Sequence, residues 1–446
     1  MPVCEAVRAR AERVLDLVAG AGASGDLIVS EGTSLSFKAR DGELEEHKVS
    51  SSRIFGVRVL KDDRAGIAYS EASDGEALRS MVAQAITNAS FARSDPDERI
   101  LDHDGILATD DALLCPTDDT SLEEKIDAAL AIERRLAARA KVKNVPYNGV
   151  LDVAGDRHVF STAGLRAHSR SRVCSAWAYA LLEDGDRNVL DGTSRAARRF
   201  AELDIDAIVD ETHARCLALI DGEAVPSRRY DVAFDIECQS ALFGVFAMMF
   251  SAKAARDGVN PMRDKVGEAV ADGALNVCDS PRRSDGLRYT LFDDEGTATK
   301  TVRLIDAGRL ATLAHSSATA AHFGLDPTGH GVRSPRGPLG VGVHQLNIEA
   351  GRESETALAS GEYLEIVDLT GLHSGANPVS GDFSFGAAGF LCRDGERRRP
   401  VRNVTVAGNF YEMLKRIAAI GDVERWNAAR SSLMARIRFA DVAISG

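Results

Sequence analysis

The sequence predicts an α+β fold, and three observations carry that prediction. Apolar alternation of period two recurs in runs closed by Asp-Gly, Gly or short charged turns. Helical spacings of three and four occur in separate, capped segments, and the two kinds of segment do not alternate regularly as a doubly wound sheet would require. A chain of 446 residues is also roughly two to three times the usual domain size, so two cores are expected. We place an N-terminal α/β domain with an antiparallel sheet at residues 1–200 and a mainly β domain with helices at 201–446. The connector contains Pro226 and Ser227.

Residues 4–20 place Ala6, Val7, Val14, Leu15, Leu17 and Val18 along one side of a helix that Gly20 stops. A meander follows from Asp26 to Tyr69, turning at Asp41-Gly42 and at Lys61-Asp62-Asp63-Arg64. Asp74 can cap a helix reaching Ala92, with Leu78, Met81, Val82, Ala85 and Ile86 on its apolar face. Ser121 opens another, to Ala140, with Glu123 and Glu124 in the first turn and arginines near the end, matching the helix dipole. Strands are expected at 149–153, 158–161 and 165–182, then a helix at 204–219 and a short strand at 231–234. Beyond these come an apolar helix at 236–255, short strands to about Phe390, a strand at 401–406 and a last helix at 409–420.

Hydrophobic residues make up 44% and charged residues 27%, which excludes a disordered chain. The net charge of −13 argues against a nucleic-acid partner, because neutralising phosphates takes clustered Lys and Arg. Arg198-Arg199 and Arg397-Arg398-Arg399 are too short for that role and read as solvated faces. Seven scattered cysteines form neither a zinc ribbon nor a disulfide framework, and no segment has the length of a membrane span or the apolar run of a signal peptide. A cytoplasmic location without membrane contact is the expectation.

Residues 236–255, IECQSALFGVFAMMFSAKAA, are where a helical metal site would be sought. A zinc peptidase helix needs two His one turn apart beside a Glu. Glu237 is there, but Cys238 and Gln239 supply no imidazole, and the Leu242, Phe243, Val245, Phe246, Met248, Met249 stripe reads as a surface that packs a core or a partner. His322 and His330 flank Gly324 and Pro327, which forbid one helix, so only a loop site is open to them. His315 reads as a core or interface residue on an apolar helix. There is no GxSxG elbow and no phosphate loop, and Asp293-Asp294-Glu295 reads as a charged turn after a strand at 289–292.

Three segments carry a resemblance: FKARDGELEEHKVSSSRIFGVRVLKDDRAGIAYS (37–70), FDDEGTATKTVRLIDAGRL (292–310), and a block from Gly371 to Leu414 that opens GLHSGANPVSGDFSFGAAGF. In order and spacing the chain resembles the TldD/PmbA peptidases over most of its length. The resemblance implies an N-terminal α/β domain followed by a curved, barrel-like sheet, and a heterodimeric metallopeptidase that cleaves unfolded or extended peptides, ribosomally made precursors among them. In that family the TldD chain carries zinc on a His-Glu-x-x-x-His helix with a Cys near its C-terminus. Here the helix has no His and the tail after Gly421 has no Cys, so the chain is similar to the PmbA (TldE) branch. The resemblance thus implies no catalytic residues and no cofactor in this chain, zinc on a TldD-like partner, and an extended peptide as substrate. Asn377, Ser380, Asp382 and Ser384 are the residues expected to order a loop at the cavity or the dimer contact; equally, they can form a turn held by its own side chains. The alternative function is a homodimeric, non-catalytic peptide-binding protein using the Phe243–Phe250 stripe.

Overall fold

The computed structural model describes residues 5–446; Cys4, at the start of the first expected helix, lies outside the described residues. Helix α1 (Glu5–Gly20) precedes strands β1 (Ser24–Arg40), β2 (Glu43–Lys61) and β3 (Arg64–Ser70). Arg40 pairs with Glu43, leaving Asp41 (φ 54°) and Gly42 (φ 81°) as a two-residue turn of positive φ; Lys61 pairs with Arg64 around Asp62 and Asp63 in the same way. Such turns match the right-handed twist of the strands, and Asp tolerates their left-handed backbone. Helix α2 (Gly75–Phe91) starts where Asp74 accepts from the Glu76 and Ala77 amides, and it packs so closely that a Cβ on Gly66 would meet the Ala85 carbonyl at 2.0 Å.

Strand β4 (Ile106–Ala108) and short helix α3 (Asp111–Leu114) lead to α4 (Leu122–Ala137), which Ser121 and Glu124 open with a reciprocal capping box. The expected strands at 149–153 and 158–161 are one strand, β5 (Val142–Ser161), followed by β6 (Arg166–Asp184), β7 (Arg187–Ala197) and helix α5 (Ile205–Leu219). The first sheet runs β3-β2-β1-β5-β6, with β4 and β7 both paired to the far side of β6. Helices α1 and α2 cover Leu27, Val29, Phe55, Val57 and Phe160. Helices α4 and α5 lie over the alanines 176, 178 and 180, whose small side chains let them approach closely.

The second unit begins with β8 (Arg228–Phe234) and α6 (Ile236–Val245). The single helix expected at 236–255 is broken: Phe246 leaves helical geometry, a 3₁₀ turn covers Ala247–Phe250, and Ser251 caps a new helix, α7 (Ala252–Arg256). Tertiary packing decides this, because the Phe246 ring stacks on Phe410 at 4.5 Å and meets Phe383 and Tyr411 edge-on. Strands β9 (Val277–Asp279), β10 (Val302–Asp306) and β11 (Arg309–Leu310), helix α8 (Ser317–Phe323), strands β12 (Gly331–Val332), β13 (Gly340–Val341) and β14 (Leu346–Ile348), and helix α9 (Glu355–Leu358) follow. Then come β15 (Glu362–Thr370), β16 (Asp382–Arg393), β17 (Glu396–Asn409), the single turn α10 (Phe410–Met413), β18 (Ile417–Trp426) and β19 (Ser432–Ser445). The helix expected to Ile420 therefore stops early, because Ile417 and Ile420 pair with Phe439 and Ile437 as strand. No strand forms at 289–292, and His315 precedes α8.

This α+β architecture curls its ten-stranded sheet into a half-barrel. β19 pairs with both β17 and β8, so the ladder returns on itself around a core that contains Phe243, Phe246, Met249 and Phe250. Among the described residues, no helix is long and apolar enough to cross a membrane.

The two sheets meet at a buried charge network. Asp26 of β1 accepts from Arg58 of β2 and from Arg333, which follows β12, each at 2.6 Å; Arg333 also donates to the Gly56 carbonyl. The backbones touch here, since a Cβ on Gly56 would lie 1.9 Å from the Pro335 carbonyl oxygen. Burial opposes ionisation of Asp26, but the Arg333 and Arg58 charges outweigh it and hold the carboxyl below its ordinary range. The triplet expected as a charged turn belongs to this seam. Asp294 binds Arg157, whereas Asp293 and Glu295 are only 3% and 7% exposed and accept from the Gly331 and Ser317 amides. Burial raises both of these carboxyls, and their mutual charge adds to the rise at Asp293.

Removing Asp26 leaves two buried guanidinium groups without their shared counter-ion. Asp26→Ala is expected to lower the unfolding free energy by about 3–5 kcal/mol in urea titrations at pH 7, whereas a loss below about 1 kcal/mol would show the network to be dispensable. Because the folded pKa lies below the unfolded one, this stabilisation is present at neutral pH. It fades as acid protonates the folded carboxylate, in a window below the ordinary carboxylate range.

Candidate functional site

A cleft of about 230 Å³ lies between the β7 side of the first sheet and the start of α6 in the second. Five elements build it. β6 and β7 supply Tyr179 and Asp191–Arg195, α5 supplies Glu211 and Arg215, α6 supplies Glu237 and Cys238, and the end of β15 supplies Asp368 with Leu369 and Leu372 beyond it. Gly192 is required between them, since a Cβ there would meet the Ala178 carbonyl at 2.1 Å and the Tyr179 ring at 2.5 Å.

Arg215 holds the cleft together. Its guanidinium donates to both Asp191 oxygens at 3.2 and 3.4 Å and to the Val367 carbonyl at 2.9 Å, and stands 3.8 Å from Asp235. Asp235 caps α6 by accepting from the Cys238 amide at 2.8 Å. Burial pushes its carboxyl up to about 6, against the pull of that amide and of Arg215. Burial likewise raises Glu237, whose carboxylate accepts from the Ala428 amide at 2.5 Å, and raises Asp368, where the Asp191 charge adds to the effect. Arg195 pairs with Glu211 on the rim.

The cleft is thus rich in hydrogen-bond acceptors and poor in activated nucleophiles. Burial, with Asp235 adding to it, pushes the Cys238 thiol well above the ordinary thiol range. Three places among the described residues could gather three ligand atoms around an ion, and none includes a residue of α6. A zinc peptidase helix presents two imidazoles on one face, and α6 carries no histidine. What the cleft does present is strand β7, which among the described strands pairs with β6 alone.

Asn377, Ser380, Asp382 and Ser384 are all exposed. Asn377 accepts from the Val379 and Ser380 amides, Ser380 accepts from the Asp382 amide, Asn409 donates to Asp382 at 2.9 Å, and the Ser384 amide donates to the Gly375 carbonyl at 2.7 Å. None of the four lines the cleft, which this loop reaches through Leu372. His322 and His330 are not brought together as a pair: His322 binds Asp97 at 2.9 Å on the surface, and His330 binds Asp279 at 2.7 Å in the interior. Sequence reading missed Asp191, Arg215 and Asp368, because they come from three distant segments with no local spacing to connect them.

Three sequence families match the chain: PmbA/TldA metallopeptidase domain 1 over residues 25–89, the central domain over 115–220, and the C-terminal domain over 227–446. Similar proteins include the metalloprotease PmbA of Escherichia coli O157:H7, 27% identical over 92% of this chain and 90% of the relative. A metalloprotease of Archaeoglobus fulgidus is 26% identical over 90% of this chain and 92% of its own length. In fold, the crystal structure of TldE from Thermococcus kodakarensis matches with a TM-score of 0.84 at 21% identity, covering 98% of this chain and all of that one. A Thermotoga maritima protein described as a candidate modulator of a DNA gyrase matches with a TM-score of 0.87 at 23% identity, covering 98% of this chain and all of its own.

The raised Asp235 carboxyl gives a pH signature. With the folded pKa above the unfolded one, the contribution of Asp235 to stability is full in acid and is lost as pH rises from the ordinary carboxylate range through about 6. Asp235→Asn, which keeps a capping oxygen, is expected to abolish that decline in unfolding free energy between pH 4.5 and 7.5, values chosen to span roughly the two pKa values. An unchanged pH slope would count against a strongly raised pKa.

Proposed function

Because the chain belongs to the PmbA/TldA metallopeptidase family, we propose that it is the TldE-type, zinc-free subunit of a two-chain peptidase, completing the substrate chamber for a TldD-like partner that bears the zinc. The carrying observation is the cleft itself. Strand β7, paired with β6 alone among the described strands, lines it beside a helix whose Glu237, Cys238 and Gln239 offer no imidazole. An extended, unfolded peptide, such as a ribosomally made precursor, would add to that strand through its backbone, with little demand on its side chains. Buried carboxylates along the cleft would accept from its amides.

Asn377 and Ser380 lie in an exposed, pre-ordered turn and Asp382 and Ser384 are exposed at the start of β16, and we assign all four to contact with the partner or the peptide. The name TldE on a structural neighbour and metalloprotease on the sequence relatives support this reading. So does the free, mostly buried state of the described cysteines, which suits the cytoplasm. The alternative of a homodimeric peptide-binding protein loses its surface, since Phe243, Phe246 and Phe250 are at most 1% exposed.

Purified alone, the chain is expected to hydrolyse an unstructured peptide no faster than buffer. Mixed with a TldD-like partner it should form a stable complex that cleaves the peptide and loses activity with chelator. Hydrolysis by this chain alone at the rate of the pair would overturn the assignment. Replacing Asn377, Ser380, Asp382 and Ser384 together by Ala should weaken complex formation or raise the peptide KM at least about tenfold, the scale of losing one or two good polar contacts.

A further inference from the structure

We propose that Asp156, His158 and His168 form a binding site for a divalent transition-metal ion, zinc being the best match, on the first sheet. The strand register creates it. His158 of β5 lies directly opposite His168 of β6, and Asp156 stands two residues before His158, so all three side chains project from one face. That is the face of Phe160, opposite to the Val159 face turned toward the seam. One ligand atom from each residue lies within 4.8 Å of the others.

Among the described residues two other clusters have similar spacing, and both are already satisfied. Asp279 accepts from the His344 and Gln345 amides and binds His330, whose second nitrogen meets Thr328. Asp152 is neutralised by Lys125 and Arg172, and the adjoining Cys174 thiol is pushed up to about 12 by burial. At the third cluster His158 is 3% exposed, yet its Nδ1 has no hydrogen-bond partner. A buried nitrogen left so costs about 1–3 kcal/mol, a cost that a ligand would remove.

Binding asks for a modest rearrangement. The two rings stack with centroids 4.5 Å apart and planes 13° apart, and His168 Nε2 lies 2.9 Å from Asp156. Zinc bonds of about 2.1 Å set tetrahedral ligands roughly 3.4 Å apart, so the His168–Asp156 pair must open slightly while the stacked rings turn about their soft χ2 torsions to face one ion. Asp156 has its side chain about one third exposed and borders an open cleft of about 450 Å³ that also touches Glu31 and Arg170, which gives an ion entry and a place for a water ligand. Arg170 opposes the charge of an ion, but its Nε is 3.6 Å from Asp156 and makes no hydrogen bond there, so it can withdraw toward solvent. The site is distinct from helix α6 and does not depend on the peptidase reading.

The test uses tag-free, metal-stripped full-length chain titrated with zinc against a chromophoric chelator, and with cobalt while the visible ligand-field bands are recorded. One equivalent is expected to bind. His158→Gln with His168→Gln should weaken binding at least tenfold and remove the cobalt bands. Asp156→Asn, at a partly exposed position that leaves the core intact, should weaken zinc about tenfold without changing the thermal midpoint of the metal-free protein. His344→Gln should bind as the unaltered chain does. Absence of saturable binding overturns the proposal, as does binding that survives Asp156→Asn and the double variant, or that disappears in His344→Gln instead.

Discussion

The structure depends on one buried carboxylate. Asp26 lies in the first strand of the first sheet, yet one of the two guanidinium groups it binds, that of Arg333, comes from the second unit more than three hundred residues later. Neither arginine has another carboxylate at this distance in the seam except through Glu98, which takes a second Arg58 nitrogen at 2.8 Å. Charges this deeply placed are tolerated only as a matched set, and the matching dictates how the two sheets sit together. The close approach of Gly56 to Pro335 and the bond from Arg157 to Asp294 follow from the same docking.

That docking also makes the cleft. β7 comes from the first sheet, while α6 and the end of β15 come from the second, and Arg215 reaches from α5 to the Val367 carbonyl across the boundary. Carboxylates that would be ordinary on a surface are partly desolvated there, which explains why Asp235, Glu237 and Asp368 all shift upward while Asp26, clamped between cations, shifts down. The same residue type shifts down where two guanidinium groups hydrogen-bond the carboxylate directly and up where burial outweighs a more distant cation.

Local signals in the chain were legible where local forces decide. The Asp41-Gly42 turn, the Asp74 cap and the Ser121–Glu124 capping box are formed by groups within four residues of one another, and each is found as read. Reading failed where distant packing overrides propensity. Phe246 breaks an apolar run that looks helical because Phe410 stacks on it, and Ile417 and Ile420 are drawn into a strand by Phe439 and Ile437. The Asp293-Asp294-Glu295 run, polar enough to suggest a solvated turn, has two of its members buried because Gly331 and Ser317 bring amides to them.

Taken by itself, the sequence determined the α+β class, the capped helices and hairpins, and, through the Gly371–Phe390 block, the family; these rest on short-range periodicity, turn chemistry and motif, all of which are written along the chain. Only the tertiary structure decided which ionisable groups meet. Asp26 with Arg333, Arg215 with Asp191, and His158 with His168 are joined by sheet register and sheet docking, and no spacing along the chain encodes such contacts. Charge pairing and desolvation depend on distance in space, so the electrostatic character of each carboxylate and imidazole appears only once the two sheets are in place.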